Sequence, residues 1–279
     1  VSDDLTIYLI AGEASGDLLG AHLMRSLRAQ SSRHIRFYGI GGEKMGAEGL
    51  YSLFPYHELS LMGLVEIIPH IFRTLIHINS TIDDIISKQP DMVITIDSPG
   101  FNFRVVEKLR KHSALKTKFV HYVAPTVWAY KPQRAEKCAK LFDHMLLLLP
   151  FEPPYFEKVG LACSFVGHPV VCESANGDSV GNGAEFRRKY EIADNVPLFC
   201  LLAGSRKGEV KRHMPVYAKT IGMLSSVYPN LALMIAAPDH VLPTLAPFLN
   251  SCPFRVIIAD GEEDKKNGIA ASNFALVKS

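Results

Sequence analysis

The sequence predicts an α/β protein made of two doubly wound domains that face each other across a cleft, the second of them incomplete. Three observations carry this reading. Short, unbroken apolar runs rich in Val, Ile, Leu and Phe alternate with longer stretches of helical period, and runs without polar alternation mark parallel strands covered on both faces. The 279 residues exceed one ordinary core and suit two. The stretch "CESANGDSVGNG", Cys172 to Gly183, is poor in large apolar residues and divides the runs into two sets. It reads as an exposed connection, which gives a first domain over 1–171, a linker over 172–183 and a second domain over 184–279.

The elements follow in order. Strands are expected at Leu5–Ala11, Ile35–Gly39, Met92–Asp97, Phe119–Val123, Met145–Leu149 and Ser164–Gly167, then at Leu198–Ala203, Leu231–Ala236, Arg255–Ala259 and Phe274–Val277. A helix of about Asp17 to Ala29 follows the first strand. Another, Ile71–Ile86, carries apolar residues at Ile71, Leu75, Ile78, Ile82 and Ile85, with a second row at Phe72, Ile76 and Ile86. So wide a stripe belongs to a core-facing helix. The segment before it, Leu59 to Ile68, is harder to bury, because Gly63 and Pro69 break it; exposed, it would be a lipid or partner surface. The chain stops at "NFALVKS", where a doubly wound domain normally continues with another helix and strand.

Composition narrows the function. Thirty basic and 28 acidic side chains leave a formal charge of +2, which gives no reason to expect nucleic-acid binding. The five cysteines, Cys138, Cys163, Cys172, Cys200 and Cys252, form no CxxC pair, so a disulfide framework or a zinc site is not expected and a reducing, cytoplasmic setting fits. No stretch reads as a signal peptide or a membrane-spanning helix. No metal-ligand cluster is visible, and no cofactor is expected.

In parallel α/β sheets ligands bind beyond the carboxyl ends of strands, so the loops there are the candidate sites. "IAGEASGDLLGAHL", Ile10 to Leu23, packs Gly12, Glu13, Ser15, Gly16 and Asp17 into one strand-to-helix turn. Glycines allow close backbone approach and the helix offers its positive end; a tight turn with Asp17 near the helix start is the equal alternative. No Walker loop follows, and "GIGGEKMG", Gly39 to Gly46, has Lys44 where a dinucleotide fingerprint needs its third glycine. In "PDMVITIDSPGFNFR", Pro90 to Arg104, a buried strand delivers Asp97 to the same edge, where a carboxylate serves as a general base or caps a helix. Asp91 reads as a cap or surface acid at the strand's far end. In "HYVAPTVWAYKPQRAEK", His121 begins the segment after a strand and Lys131 and Arg134 begin a helix; the sole tryptophan, Trp128, beside these two cations could hold a base or phosphate, but the preferred reading is a core Trp with solvated cations. "LLAGSRKGEVKRH", Leu201 to His213, carries the strongest anion-site pattern: Gly204 at a turn, Ser205 as a cap, Arg206 able to grip two oxygens, and a helix start near Gly208. A helix dipole contributes only about 0.3–1 kcal/mol, so the arginine must supply much of the hold on a diphosphate.

Taken together, "AGEASGD", "GIGGEKM", "LSLMGLVEI", "IDSPGFN", "HYVAPTVWAY", "LPFE", "FVGHP" and "LLAGSRKGEV", in this order from Ala11 to Val210, resemble the lipid A disaccharide synthases, glycosyltransferases of envelope lipid biosynthesis. The resemblance implies the two-domain glycosyltransferase-B fold and transfer of a diacylated glucosamine from UDP to a diacylated glucosamine 1-phosphate, with inversion and release of UDP. It implies no metal. Asp97 is then the expected base with Glu13 in reserve, Gly204, Ser205 and Arg206 hold the diphosphate, and Gly12, Ser15, Gly16 and Asp17 line the acceptor side. His168, in "GHP", binds a phosphate or sugar or serves as a hinge. Two departures stand out: Gly100 replaces a second Asp common in the family's turn, and of a later Ser-Gly-Thr nucleotide loop only Ser279 is present. Substrates with two acyl chains imply docking on the cytoplasmic face of the inner membrane, expected through Leu61, Met62, Leu64, Val65 and parts of Ile67–Ile76. The rivals are another UDP-sugar enzyme of the same fold, such as the peptidoglycan lipid-linked N-acetylglucosaminyltransferase or an epimerase, and an inactive nucleotide-binding module.

Overall fold

The computed structural model describes residues 4–60, 67–112, 115–169, 171, 181–204, 207–238 and 241–277, in two compact units, Val1–Pro169 and Val170–Ser279. Much of the expected linker, 172–180, lies outside the described residues. Its last two positions belong to the second unit: Asn182 caps, and Gly183 opens, that unit's first helix.

Unit 1 contains β1 (Leu5–Ala11), α1 (Ala14–Gln30), β2 (Ile35–Ile40), α2 (Glu43–Ala47), β3 (Tyr51–Ser52), α3 (His57–Ser60), α4 (Ile67–Lys88), β4 (Met92–Ile96), α5 (Pro99–Leu109), β5 (Lys118–Tyr122), α6 (Arg134–Leu141), β6 (His144–Leu147), α7 (Pro153–Glu157) and β7 (Cys163–Phe165). Its strands form one sheet in the order β3-β2-β1-β4-β5-β6-β7, parallel at every pairing. The order reverses between β1 and β4. That switch point is where doubly wound sheets open a crevice for ligand.

β1 shows why the strands read as continuous apolar runs. Ile7, Leu9 and Ala11 face one layer, with Leu19, Ala21 and Met24 of α1. Tyr8 and Ile10 face the other, with Ile78, Ile82 and Ile85 of α4 and Phe101 and Val105 of α5. Successive side chains point to opposite faces, so a strand covered on both sides has no polar position to spare. The Tyr8 hydroxyl donates to Asp84 on α4 at 2.9 Å; burial first, then the Asp84 carboxylate, pushes the phenol far above its ordinary pKa. At the opposite end of β1, Asp91 accepts the Thr6 N–H at 2.8 Å and so aligns β1 with β4.

Unit 2 contains α8 (Gly183–Lys189), β8 (Leu198–Leu202), α9 (Lys207–Val227), β9 (Ala232–Ile235), α10 (Leu242–Ser251), β10 (Arg255–Ile258), α11 (Gly261–Ala271) and β11 (Phe274–Val277). Its sheet runs β10-β9-β8-β11, again all parallel. One layer gathers Val210, Tyr217, Leu245 and Phe248; the other gathers Phe186, Met234 and Ala271. Buried Asp264 joins α8 to α11 by accepting from Lys189 at 3.0 Å and from Tyr190.

Several expectations are corrected. The helix after β1 starts at Ala14, three residues before Asp17. His121 lies inside β5 and is buried. Trp128 is 42% exposed and packs edge-on against Phe151 at 5.3 Å instead of entering the core. Lys131 precedes α6, which opens at Arg134. On α4, Ile78, Ile82 and Ile85 are in the core, whereas Leu75 and Ile76 of the same expected stripe are exposed.

Candidate active site

Parallel pairing brings the carboxyl ends of β1, β4 and β5 side by side, since Ala11 lies opposite Ile96 and Ile96 opposite Tyr122. The loops that leave these ends carry Gly12–Glu13, Asp97–Ser98 and Val123. Asp97, Ser98 and Val123 all have left-handed backbones, with φ of 48°, 44° and 76°. Such residues cost about 1–3 kcal/mol each and persist where the surroundings over-determine them, and a β-branched Val there is an outlier. Three of them lie along this one edge; among the described residues of the unit, Gln89 and Lys131 are the other non-glycine residues with positive φ.

The first two loops touch. Gly12 is buried, and a Cβ there would stand 2.7 Å from Ser98 Oγ, so its glycine is demanded by the β4 loop. Glu13 is half-buried and occupies the N-cap position of α1. Ser15 is exposed and Gly16 is buried. In the β4 loop, the Asp97 N–H donates to the Tyr122 carbonyl at 2.9 Å, which leaves its half-buried carboxylate at the strand end. The side-chain amide of Asn102, on the first turns of α5, donates to the Ile96 and Asp97 carbonyls at 3.1 and 2.7 Å.

Asp17, expected to bind sugar, has its carboxylate engaged by main-chain donors. It is 4% exposed. Its Oδ1 accepts the N–H groups of Gly42 at 2.7 Å and Met45 at 3.1 Å, and its Oδ2 accepts that of Lys44 at 3.1 Å. A carboxylate at the open N–H end of a helix is favourable, and this one caps α2 from the neighbouring helix α1, on the same face of the sheet. It clasps "GIGGEKM" to "AGEASGD", with Tyr56 closing the contact: a Cβ on Gly42 would come within 2.4 Å of the Tyr56 ring. Burial, and after it the Asp17 and Glu43 carboxylates, raises the Tyr56 phenol pKa. The spacing between Asp17 and Gly42 hid this role; the one signal available was that both motifs begin at the ends of neighbouring strands.

Beneath the edge, His121 Nδ1 meets Thr95 Oγ1 at 2.7 Å. Phe142 stacks on the ring and Phe103 meets it edge-on. Burial lowers its pKa to about 3, so it is a neutral packing group at physiological pH. His168 is half-buried and follows Gly167 beyond β7.

In unit 2, β8 runs into Gly204, whose φ of 111° suits glycine, and α9 begins at Lys207. Glu209 Oε2 would lie 3.4 Å from a Cβ on Gly204. Ser205 and Arg206, the expected diphosphate ligands, lie outside the described residues, as do Leu61, Met62, Leu64 and Val65. Among the described residues no group of three or more His, Cys, Asp or Glu side chains could hold a metal ion. No helix among them is long and apolar enough to cross a membrane.

Two all-parallel doubly wound units in tandem, with glycine-bearing loops at the strand ends, define an α/β protein of the glycosyltransferase-B type. Solved structures share the fold. The Neisseria meningitidis UDP-GlcNAc 2-epimerase bound to UDP-GlcNAc superposes with a TM-score of 0.63 at 12% identity, covering 99% of this chain and 78% of that one. A Staphylococcus aureus MnaA–UDP co-structure gives 0.68 at 16% identity, covering 99% and 74%. Sequence is more specific. The family model for lipid-A-disaccharide synthetase matches residues 7–279, and the chain belongs to that family. Lipid-A-disaccharide synthases of Rhodospirillum centenum and Rickettsia bellii are 45% and 43% identical to it, covering 99% and 98% of this chain and 68% and 70% of their own.

Proposed function

We propose that this chain is an inverting glycosyltransferase that moves a 2,3-diacylglucosamine from UDP to 2,3-diacylglucosamine 1-phosphate, releasing UDP, in lipid A biosynthesis. The observation that carries the reading is the family match along nearly the whole chain, joined to an edge where the loops that follow two neighbouring strands, β1 and β4, carry Glu13 and Asp97.

Inversion needs a base to take the acceptor hydroxyl's proton and an anion site for departing UDP. Asp97 is the base, in a turn that holds its backbone in one conformation. Glu13, one strand away, orients sugar hydroxyls and stands in reserve, with Ser15 and the Gly12–Gly16 backbone beside it. Asp17 leaves this set, because both of its oxygens are engaged with α2. Gly204, Ser205, Arg206 and the α9 N-terminus receive the diphosphate, and His168 contacts phosphate or sugar.

Membrane contact follows from magnitude. Each methylene buried is worth about 0.8 kcal/mol, so drawing two chains of a dozen carbons fully into water costs on the order of 20 kcal/mol. The enzyme therefore works docked on the cytoplasmic face of the inner membrane. Exposed Leu75 and Ile76 on α4 support a docking face there.

The test is a UDP-release assay with acylated and unacylated donors on wild type and Asp97→Asn. Turnover in the variant falls by roughly 10²–10⁴ with donor KM little changed. Wild-type turnover would remove Asp97 from the chemistry, and equal use of unacylated donor would point to a different UDP-sugar reaction.

A further inference from the structure

Asn102 is fully buried, yet its carboxamide serves no secondary-structure hydrogen bond. Its Nδ2 donates to two consecutive main-chain carbonyls, Ile96 at 3.1 Å and Asp97 at 2.7 Å. These are the last residue of β4 and the first of the two left-handed residues that follow it. The backbone N–H of Asn102 also donates to the Ser98 carbonyl at 3.1 Å. One residue thus holds three successive carbonyls, those of 96, 97 and 98, through the whole of the unfavourable turn.

Its other amide atom gains nothing from this arrangement. Asn102 Oδ1 is buried with no hydrogen-bond partner among the described residues. An unpaired buried acceptor opposes folding, and an apolar side chain of similar shape would avoid it. Two left-handed non-glycine residues in succession also oppose folding unless they are held. Both costs fall at one place, and what they jointly secure is the direction of the chain at Asp97.

We propose that Asn102 is a positioning residue that aims the Asp97 carboxylate by tying the Ile96 and Asp97 carbonyls to the start of α5. The proposal rests on Asp97 being the base.

The experiment measures kcat and donor and acceptor KM for the full chain carrying Asn102→Ala, Asn102→Ser, Asp97→Asn and the Asp97→Asn/Asn102→Ala pair, with folding followed by circular dichroism. Asn102→Ala lowers kcat about 10- to 100-fold per folded molecule and leaves donor KM within about 2-fold. Asn102→Ser, whose hydroxyl can hold one of the two carbonyls, falls between wild type and Ala; it carries the comparison if the alanine variant does not fold. In the Asp97→Asn background, Asn102→Ala removes no more than about 2-fold further, because a residue acting through another is not additive with it. A lowered melting temperature with unchanged kcat in the folded fraction would overturn the proposal and leave the Asp97 reading intact. Wild-type kcat in Asp97→Asn would overturn both. Full additivity in the double variant would show that Asn102 acts by a route other than Asp97, and would overturn the positioning role alone.

Discussion

Asp17→Ala separates a structural clasp from a ligand contact. The carboxylate satisfies three main-chain donors. Of these, the Met45 N–H is buried, and its loss of a partner costs about 1–3 kcal/mol. The Gly42 and Lys44 groups are partly buried and recover some hydration once α2 loosens, at about 0.5–1.5 kcal/mol each. Asp17→Ala therefore destabilises unit 1 by about 2–6 kcal/mol. Asp17→Asn keeps an oxygen for Gly42 and Met45 but turns an N–H₂ toward the Lys44 N–H, and costs about 1–2 kcal/mol. Urea unfolding followed by circular dichroism reads both values, and hydrogen exchange at Gly42, Lys44 and Met45 reads the cause, since those amides should exchange faster. A change within about 0.5 kcal/mol for Asp17→Ala, accompanied by a raised acceptor KM, would refute the clasp and return Asp17 to substrate binding.

Two further outcomes are expected. His121 stays neutral in the folded chain because burial lowers its pKa to about 3, while in the unfolded chain it titrates near 6.5; between these values the unfolded state holds the extra proton. Stability is then full above pH 6.5 and falls by up to about 1.4 kcal/mol per pH unit as pH drops. His121→Phe should remove that slope in denaturation curves at pH 7, 6, 5 and 4.5, and parallel curves would show that the ring is not shielded. Gly100 is exposed in the first turn of α5, and a Cβ there meets nothing. Gly100→Asp should raise stability by about 0.5–1 kcal/mol through helix propensity and the helix dipole; a melting point lowered by several degrees would contradict the open space.

The strands were legible because a doubly covered parallel sheet leaves an unmistakable trace: β1 is apolar at Ile7, Tyr8, Leu9, Ile10 and Ala11, and nothing but burial on both faces explains that. β3 left no such trace, since two exposed residues, Tyr51 and Ser52, have no pattern to show. Trp128 reads as core from sequence, yet it lies in the loop past β5 and is partly exposed against Phe151. The candidate bases were visible because strand ends can be counted from sequence. The partners of those ends were not. Asp17 reaches 25 residues ahead to Gly42, and Asn102 acts only once Asp97 and Ser98 have turned left-handed, a conformation that neither residue type announces.

Trp128 has a practical consequence. The chain contains one tryptophan, and it stands partly in solvent against Phe151. Every photon of indole emission therefore originates from a single address, the ribbon that leaves β5. A molecule that settles against Trp128 and changes its exposure changes the colour or intensity of that emission, with no label attached.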